Sequence, residues 1–172
     1  AADVPSIASR IAGIVMDLPE VDATRVVAMG GGGLADVGVV SARSAWRIPD
    51  GVAATKAAAI PINYGTTWFA LHDRGHLRSG EWLLVTGASG GTGSAAIQLG
   101  LAAGARVIAV AGGEAKAAAC RALGAEVVID HRATPDWVDL VREATGGAGA
   151  DVAYDPVGGD TFHQVRRCMA WD

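Results

Sequence analysis

The chain has 172 residues, 51% of them hydrophobic, with 24 glycines, 14 Lys and Arg against 18 Asp and Glu, and a formal net charge of −4. That is enough chain to bury one ordinary domain, or one domain and part of another. The basic residues are scattered, which excludes the electrostatic footprint of a nucleic-acid binder, and the apolar runs are broken too often by Gly or charge to span a bilayer. The start, Ala1-Ala-Asp-Val-Pro5, lacks the basic and apolar regions of a secretory signal, so the expected location is cytoplasmic.

In chain order, residues 10 to 48 read as short strands at Arg10 to Met16, Thr24 to Met29 and Leu34 to Val40, separated by Leu18-Pro-Glu20 and the run Gly30 to Gly33. From Ala53 to Arg74 the pattern turns helical, with Pro61 early and Trp68, Leu71 and His72 at helical spacing. Apolar runs then alternate with helices: Trp82 to Thr86, Arg106 to Val110, Glu126 to Ile129 and Asp151 to Tyr154. Strands separated by helices of this length imply right-handed crossovers, hence an α/β fold with a parallel sheet.

The intervening helices have readable ends. The first is expected from Ser94 to Ala103 and the second from Glu114 to Leu123, stopping at Gly124. In the third, Thr134 is placed to N-cap, Pro135 fits the first helical position, and Trp137, Leu140, Val141 and Ala144 form one apolar stripe ending at Gly146. Cys120 and Cys168 fall where helices want small apolar side chains, so they are expected to be buried free thiols.

The chemistry sits in the loop Gly87-Ala88-Ser89-Gly90-Gly91-Thr92-Gly93, between the first of these strands and its helix. That context gives a glycine pattern its meaning. Gly90 and Gly91 let backbone approach a pyrophosphate, the helix start supplies free N–H groups, and Gly93 lets the helix lie close to the strand. The usual first glycine of G-x-G-x-x-G is Ala88 here, which still permits a tight turn. At the end of the next strand an acidic residue would bond the ribose 2′-hydroxyl of NAD. This strand instead ends Val110-Ala111-Gly112-Gly113, Glu114 comes late, and Lys116 is near enough to pair with a phosphate, which favours NADPH. His72 and His76 have i,i+4 spacing but no third ligand at a readable distance, and the expected metal content is none. Asp73-Arg-Gly-His76 reads as a fraying helix end.

From about Val26 onward the chain resembles the zinc-independent quinone oxidoreductases, the zeta-crystallin-like branch of the medium-chain dehydrogenase/reductase superfamily. The resemblance lies in Arg25-Val-Val-Ala-Met29, Gly30-Gly-Gly-Gly-Leu-Ala-Asp36, Ala58-Ala-Ile-Pro-Ile-Asn-Tyr-Gly-Thr-Thr-Trp68, the glycine loop, Leu123-Gly-Ala-Glu-Val-Val-Ile-Asp130, Thr145-Gly-Gly-Ala-Gly149 and Tyr154-Asp-Pro-Val-Gly-Gly159. It implies a remnant of a GroES-like β substrate domain over 1–58, then an incomplete Rossmann-type domain over 59–172 with helices on both faces of its sheet. NADPH would lie in the cleft, and hydride would pass to a quinone or similar activated acceptor without an obligatory acid, base or metal. Thr66 matches the position near the nicotinamide, Ala88, Gly90, Gly91 and Thr92 the pyrophosphate loop, and Gly112, Gly113 and Lys116 the 2′-phosphate segment. His131 stands where many members carry a Tyr, and when protonated could pair with that phosphate. Pro156 and Val157 fall at the sheet edge facing the dinucleotide.

Relative to the family, the chain lacks residues at its start and stops at Ala170-Trp171-Asp172, before the fifth strand. A homodimer through the sheets is also implied. Two other readings stay open: an enoyl- or acryloyl-type reductase with the same cofactor loop, and a non-catalytic dinucleotide-binding or assembly module.

Overall fold

The computed structural model describes residues 25–31, 33 and 38–171. By its internal contacts the chain divides into two compact units, Ala1–Ile62 and Asn63–Asp172. The strand expected at Arg10 to Met16 lies outside the described residues.

In the first unit, β1 (Val26–Ala28) pairs antiparallel with β2 (Ala45–Arg47), Val27 opposite Trp46. The strand expected at Leu34 to Val40 is not formed over its described part: residues 38–40 are irregular, and β1 finds its partner at Ala45–Arg47 instead. A single turn of 3₁₀ helix, Ala42–Ser44, leads into β2. Its cap is Ser41, whose hydroxyl accepts the Arg43 N–H at 3.3 Å. The Arg25 guanidinium donates to the Val52 carbonyl at 2.6 Å.

Helix α1 (Ala54–Trp68) holds Pro61 within it and runs on as a π-helix, Phe69–Arg74. The helix thus ends at Arg74, within the expected end at Asp73 to His76. The Gly75 N–H donates to the Ala70 carbonyl at 2.8 Å, so the last turn is closed by the wider i→i+5 bond. A Cβ at Gly75 would stand 3.1 Å from the Leu71 carbonyl oxygen, a tight fit at the helix exit.

The second unit is built on a four-stranded parallel sheet of β3 (Trp82–Val85), β4 (Arg106–Ala111), β5 (Val127–Asp130) and β6 (Val152–Tyr154), in the order β5-β4-β3-β6. Each strand is followed by a helix: α2 (Gly91–Ala102), α3 (Glu114–Ala122), α4 (Val138–Ala144) and α5 (Asp160–Arg167). Alternate strand residues point to opposite faces. Leu83, Val85, Val107 and Ala109 pack with Ala96 and Ile97 of α2 and Cys120 of α3. Leu84, Ile108 and Val110 pack with Trp137, with Val138 and Val141 of α4, and with Val165 of α5. Both faces of the central strands are thus covered, which is why they read as unbroken apolar runs. Each fully buried Leu or Ile there contributes about 1.5–3 kcal/mol relative to exposure.

Two helix starts differ from expectation. Helix α2 begins at Gly91, not Ser94, so Gly91, Thr92 and Gly93 form its first turn and the loop before it is only a tight turn. Helix α4 begins at Val138, and Thr134 does not cap it; its own N–H instead bonds Asp130. Asp136 takes the capping role, its carboxylate accepting the Val138 N–H at 3.4 Å. Pro135 lies before the helix in the loop that Gln164 of α5 pins, donating to the Pro135 carbonyl at 3.0 Å.

Both cysteines are buried and free, one on each face of the sheet. Burial pushes the Cys168 thiol up to about 11 and raises that of Cys120. Since only the thiolate reacts readily, a thiol reagent at neutral pH should modify neither cysteine in the native protein and both after denaturation. Rapid labelling of one thiol in native protein would place that helix at the surface.

Candidate functional site

The site lies at the carboxyl end of the sheet, where β3 and β6 send their chains to opposite faces. Thr86 and Gly87 leave β3 toward α2, while Asp155 and Pro156 leave β6 toward α5. Open sheets bind ligands in such a crevice.

The turn out of β3 is built from its own backbone. Gly87 adopts φ +54° and its carbonyl accepts the Gly90 N–H at 2.9 Å. The N–H of fully buried Ala88, three residues past the end of β3, donates to the Val110 carbonyl of β4 at 3.1 Å. Gly90 is the N-cap and has no side chain to offer, so the first N–H groups of α2 remain available to an anion. Gly93 is constrained more tightly than a helix-to-strand contact requires. A Cβ there would overlap the Gly87 carbonyl oxygen and sit 2.8 Å from Ala88 Cα, so it is the turn that needs this glycine. The close approach of helix to strand falls to Gly100, where a Cβ would stand 2.6 Å from Leu83 Cδ2.

A cavity of about 320 Å³ opens beside this turn. Of the expected site residues it brings together Ser89, Gly112, Lys116, His131 and Val157, and adds Thr86, Trp137 and Gln164. Ala88, Gly90, Gly91, Thr92, Gly93, Gly113 and Pro156 do not line that cavity. Thr66 is exposed on α1; its neighbour Thr67 is fully buried and donates its hydroxyl to the Thr92 carbonyl at 3.2 Å. Asn63, one turn earlier, places its amide 2.9 Å from where a Cβ on Gly91 would be.

At the tip of β4 the charges are arranged consistently. A Cβ on Gly112 would stand 2.6 Å from Nε2 of His131 and 3.3 Å from Nε of Arg132. Arg132 therefore joins Lys116 and His131 around Gly112 and Gly113, and the sequence reading passed it over although it is next to His131. Two carboxylates are near, and both are engaged. Asp130 accepts the Gly113 N–H at 2.8 Å and the Arg132 N–H at 2.9 Å, and these backbone donors hold its carboxyl below the usual range. Glu114 pairs with Arg121 along α3. Among the described residues, no three His, Cys, Asp or Glu side chains are grouped as a metal site would require.

A parallel sheet with a glycine turn at its switch point, a helix N-terminus aimed at the crevice and a basic strand tip define a Rossmann-type α/β unit. The zinc-binding dehydrogenase family model matches residues 91–172. The chain is 38% identical over 143 residues to a quinone oxidoreductase-like protein 2 homolog of Nematostella vectensis, covering 83% of this chain and 39% of that protein. It is 39% identical over 171 residues to erythronolide synthase EryA2 of Saccharopolyspora erythraea, covering 95% of this chain and 5% of that one. Among solved structures, an NAD-dependent alcohol dehydrogenase aligns with a TM-score of 0.73 at 37% identity, over 76% of this chain and 38% of that one. A mycobacterial protein solved in complex with NADPH aligns at 0.69 and 31%, over 75% and 40%. The chain is similar to medium-chain dehydrogenases/reductases over its Rossmann-type unit, and it spans about two fifths of the length of the Nematostella relative.

Proposed function

We propose that this chain is the cofactor-binding part of a cytoplasmic, NADPH-dependent oxidoreductase that passes hydride to a quinone or similarly activated alkene or carbonyl. The observation that carries the reading is the tip of β4: two glycines and three basic side chains, with Glu114 paired to Arg121 and Asp130 bonded to the backbone N–H groups of Gly113 and Arg132. A ribose 2′-phosphate would be met by Lys116, His131 and Arg132, against the single ionised carboxylate of Asp130, whose Oδ1 is turned to the Gly113 and Arg132 N–H groups. The pyrophosphate would lie on Ser89, Gly90, Gly91, Thr92 and the start of α2, with Pro156 and Val157 as the apolar wall and Thr66 toward the nicotinamide. The bound cofactor supplies the hydride; the protein's part is to place it and keep water away. The compact unit ending at Ile62 supports assigning the preceding residues to a substrate domain.

A titration of the purified chain with NADPH and NADH by intrinsic fluorescence, followed by a simple quinone, tests the proposal. NADPH should bind preferentially and be oxidised. Binding without oxidation would leave a dinucleotide module, and binding of neither would refute the site. The match to a putative enoyl reductase domain of a polyketide synthase, 35% identical with a TM-score of 0.59 over 63% of the chain, favours a second reading, an enoyl-type reductase. Oxidation of NADPH by a crotonyl thioester but not by quinone would select it.

A further inference from the structure

The last backbone bond between β3 and β6 is from the Thr86 N–H to the Tyr154 carbonyl, at 3.1 Å. Beyond it the two chains part, and the first tie across the gap is made by side chains. The hydroxyl of Thr86, buried to 1% exposure, donates to Oδ1 of Asp155 at 2.5 Å. The same oxygen accepts the N–H groups of Val157 and Gly158, each at 3.1 Å. One carboxylate oxygen thus folds residues 155–158 into a turn and fastens that turn to the end of β3.

The turn is fastened against the glycine loop. Val157 Cγ2 stands 3.1 Å from where a Cβ on Gly87 would be, and Pro156 Cγ 3.8 Å. Val157 remains 57% exposed, an apolar side chain held over the crevice instead of packed into a core. Gly158 and Gly159 both have positive φ, +69° and +59°, and bend the chain away into α5.

We propose that Thr86 and Asp155 act as one positioning device, setting the width of the dinucleotide crevice by holding Val157 against the glycine turn. This rests on the proposed cofactor site, but it concerns residues that need not touch the cofactor's reactive end. Removing either partner frees the lip and lowers dinucleotide affinity, while the sheet below, with its buried strands, stays folded.

The test compares Thr86→Val, Asp155→Ala, the double variant and Asp155→Asn by NADPH titration, with thermal unfolding measured alongside. Thr86→Val keeps the side-chain volume and should fold. Each of the first two is expected to weaken NADPH binding about tenfold, with the double variant no weaker than either, as coupled residues behave. Asp155→Asn, whose amide oxygen can accept the same three donors, should stay within about threefold of wild type. A lowered melting temperature with unchanged affinity, or losses that multiply in the double variant, would overturn the proposal. Wild-type protein that binds neither dinucleotide would overturn the cofactor reading and this one together; wild-type binding retained in full by Asp155→Ala would overturn the positioning role alone.

Discussion

Replacing Gly93 with alanine is expected to weaken dinucleotide binding at least a hundredfold, about 2.7 kcal/mol, while the sheet remains formed. The added methyl would fall on the Gly87 carbonyl oxygen and stand 2.8 Å and 2.9 Å from Cα and C of Ala88. All three are backbone atoms, and Ala88 is in turn bonded to the Val110 carbonyl of β4, so nothing there can swing aside. The turn must deform, and the N–H groups at the start of α2 lose their aim. Gly91→Ala gives the contrast. The three atoms nearest its methyl belong to the Asn63 amide, the end of a side chain that can rotate, the first at 2.9 Å, so a loss of tenfold or less is expected. Fluorescence titration of both variants, with circular dichroism to verify folding, measures the difference. Comparable affinity for the two variants would mean that the turn is not held by its own backbone.

The same constraint explains how much could be read from the residues. The parallel sheet was legible because Leu83 to Val85 and Val107 to Ala111 are buried on both faces, and such runs between helical segments have few other foldings. Helix starts were less so. Three consecutive loop residues, Gly91 to Gly93, have low helix propensity, yet they are the first turn of α2, because the sheet packing of Ala95, Ala96 and Ile97 decides where the helix lies. Thr134 looked like a cap by type and spacing, but its backbone was already committed to Asp130, leaving Asp136 to cap. The glycine loop and Lys116 were legible as local motifs. Arg132, Thr67, and the pairing of Thr86 with Asp155 were not, since each acts on a segment brought near only by the fold, 69 residues away in the last case.

Charge reversal at the strand tip is the second large effect. Lys116→Glu and Arg132→Glu should each weaken NADPH binding by about 10–100-fold and NADH binding by less than about threefold. The physical basis is a phosphate carrying nearly two charges beside side chains on the rim of the crevice, where an effective dielectric near 20 makes a unit pair at 4 Å worth about 4 kcal/mol before solvation costs. NADH has only a hydroxyl at that position and little to lose. Screening supplies an internal control: with a Debye length of about 10 Å at 0.1 M salt and 3 Å at 1 M, the selectivity of wild type should fall as salt rises, and that of the variants should change little. Arg132 is the more discriminating substitution. Its guanidinium reaches Gly112 and Gly113 from the β5 side while its backbone N–H helps hold Asp130, and replacing the side chain leaves that backbone bond in place. A loss for NADPH alone in Arg132→Glu would therefore report on the phosphate and not on the fold, whereas equal losses for both dinucleotides would remove the basic tip from the cofactor site and with it the preference for NADPH.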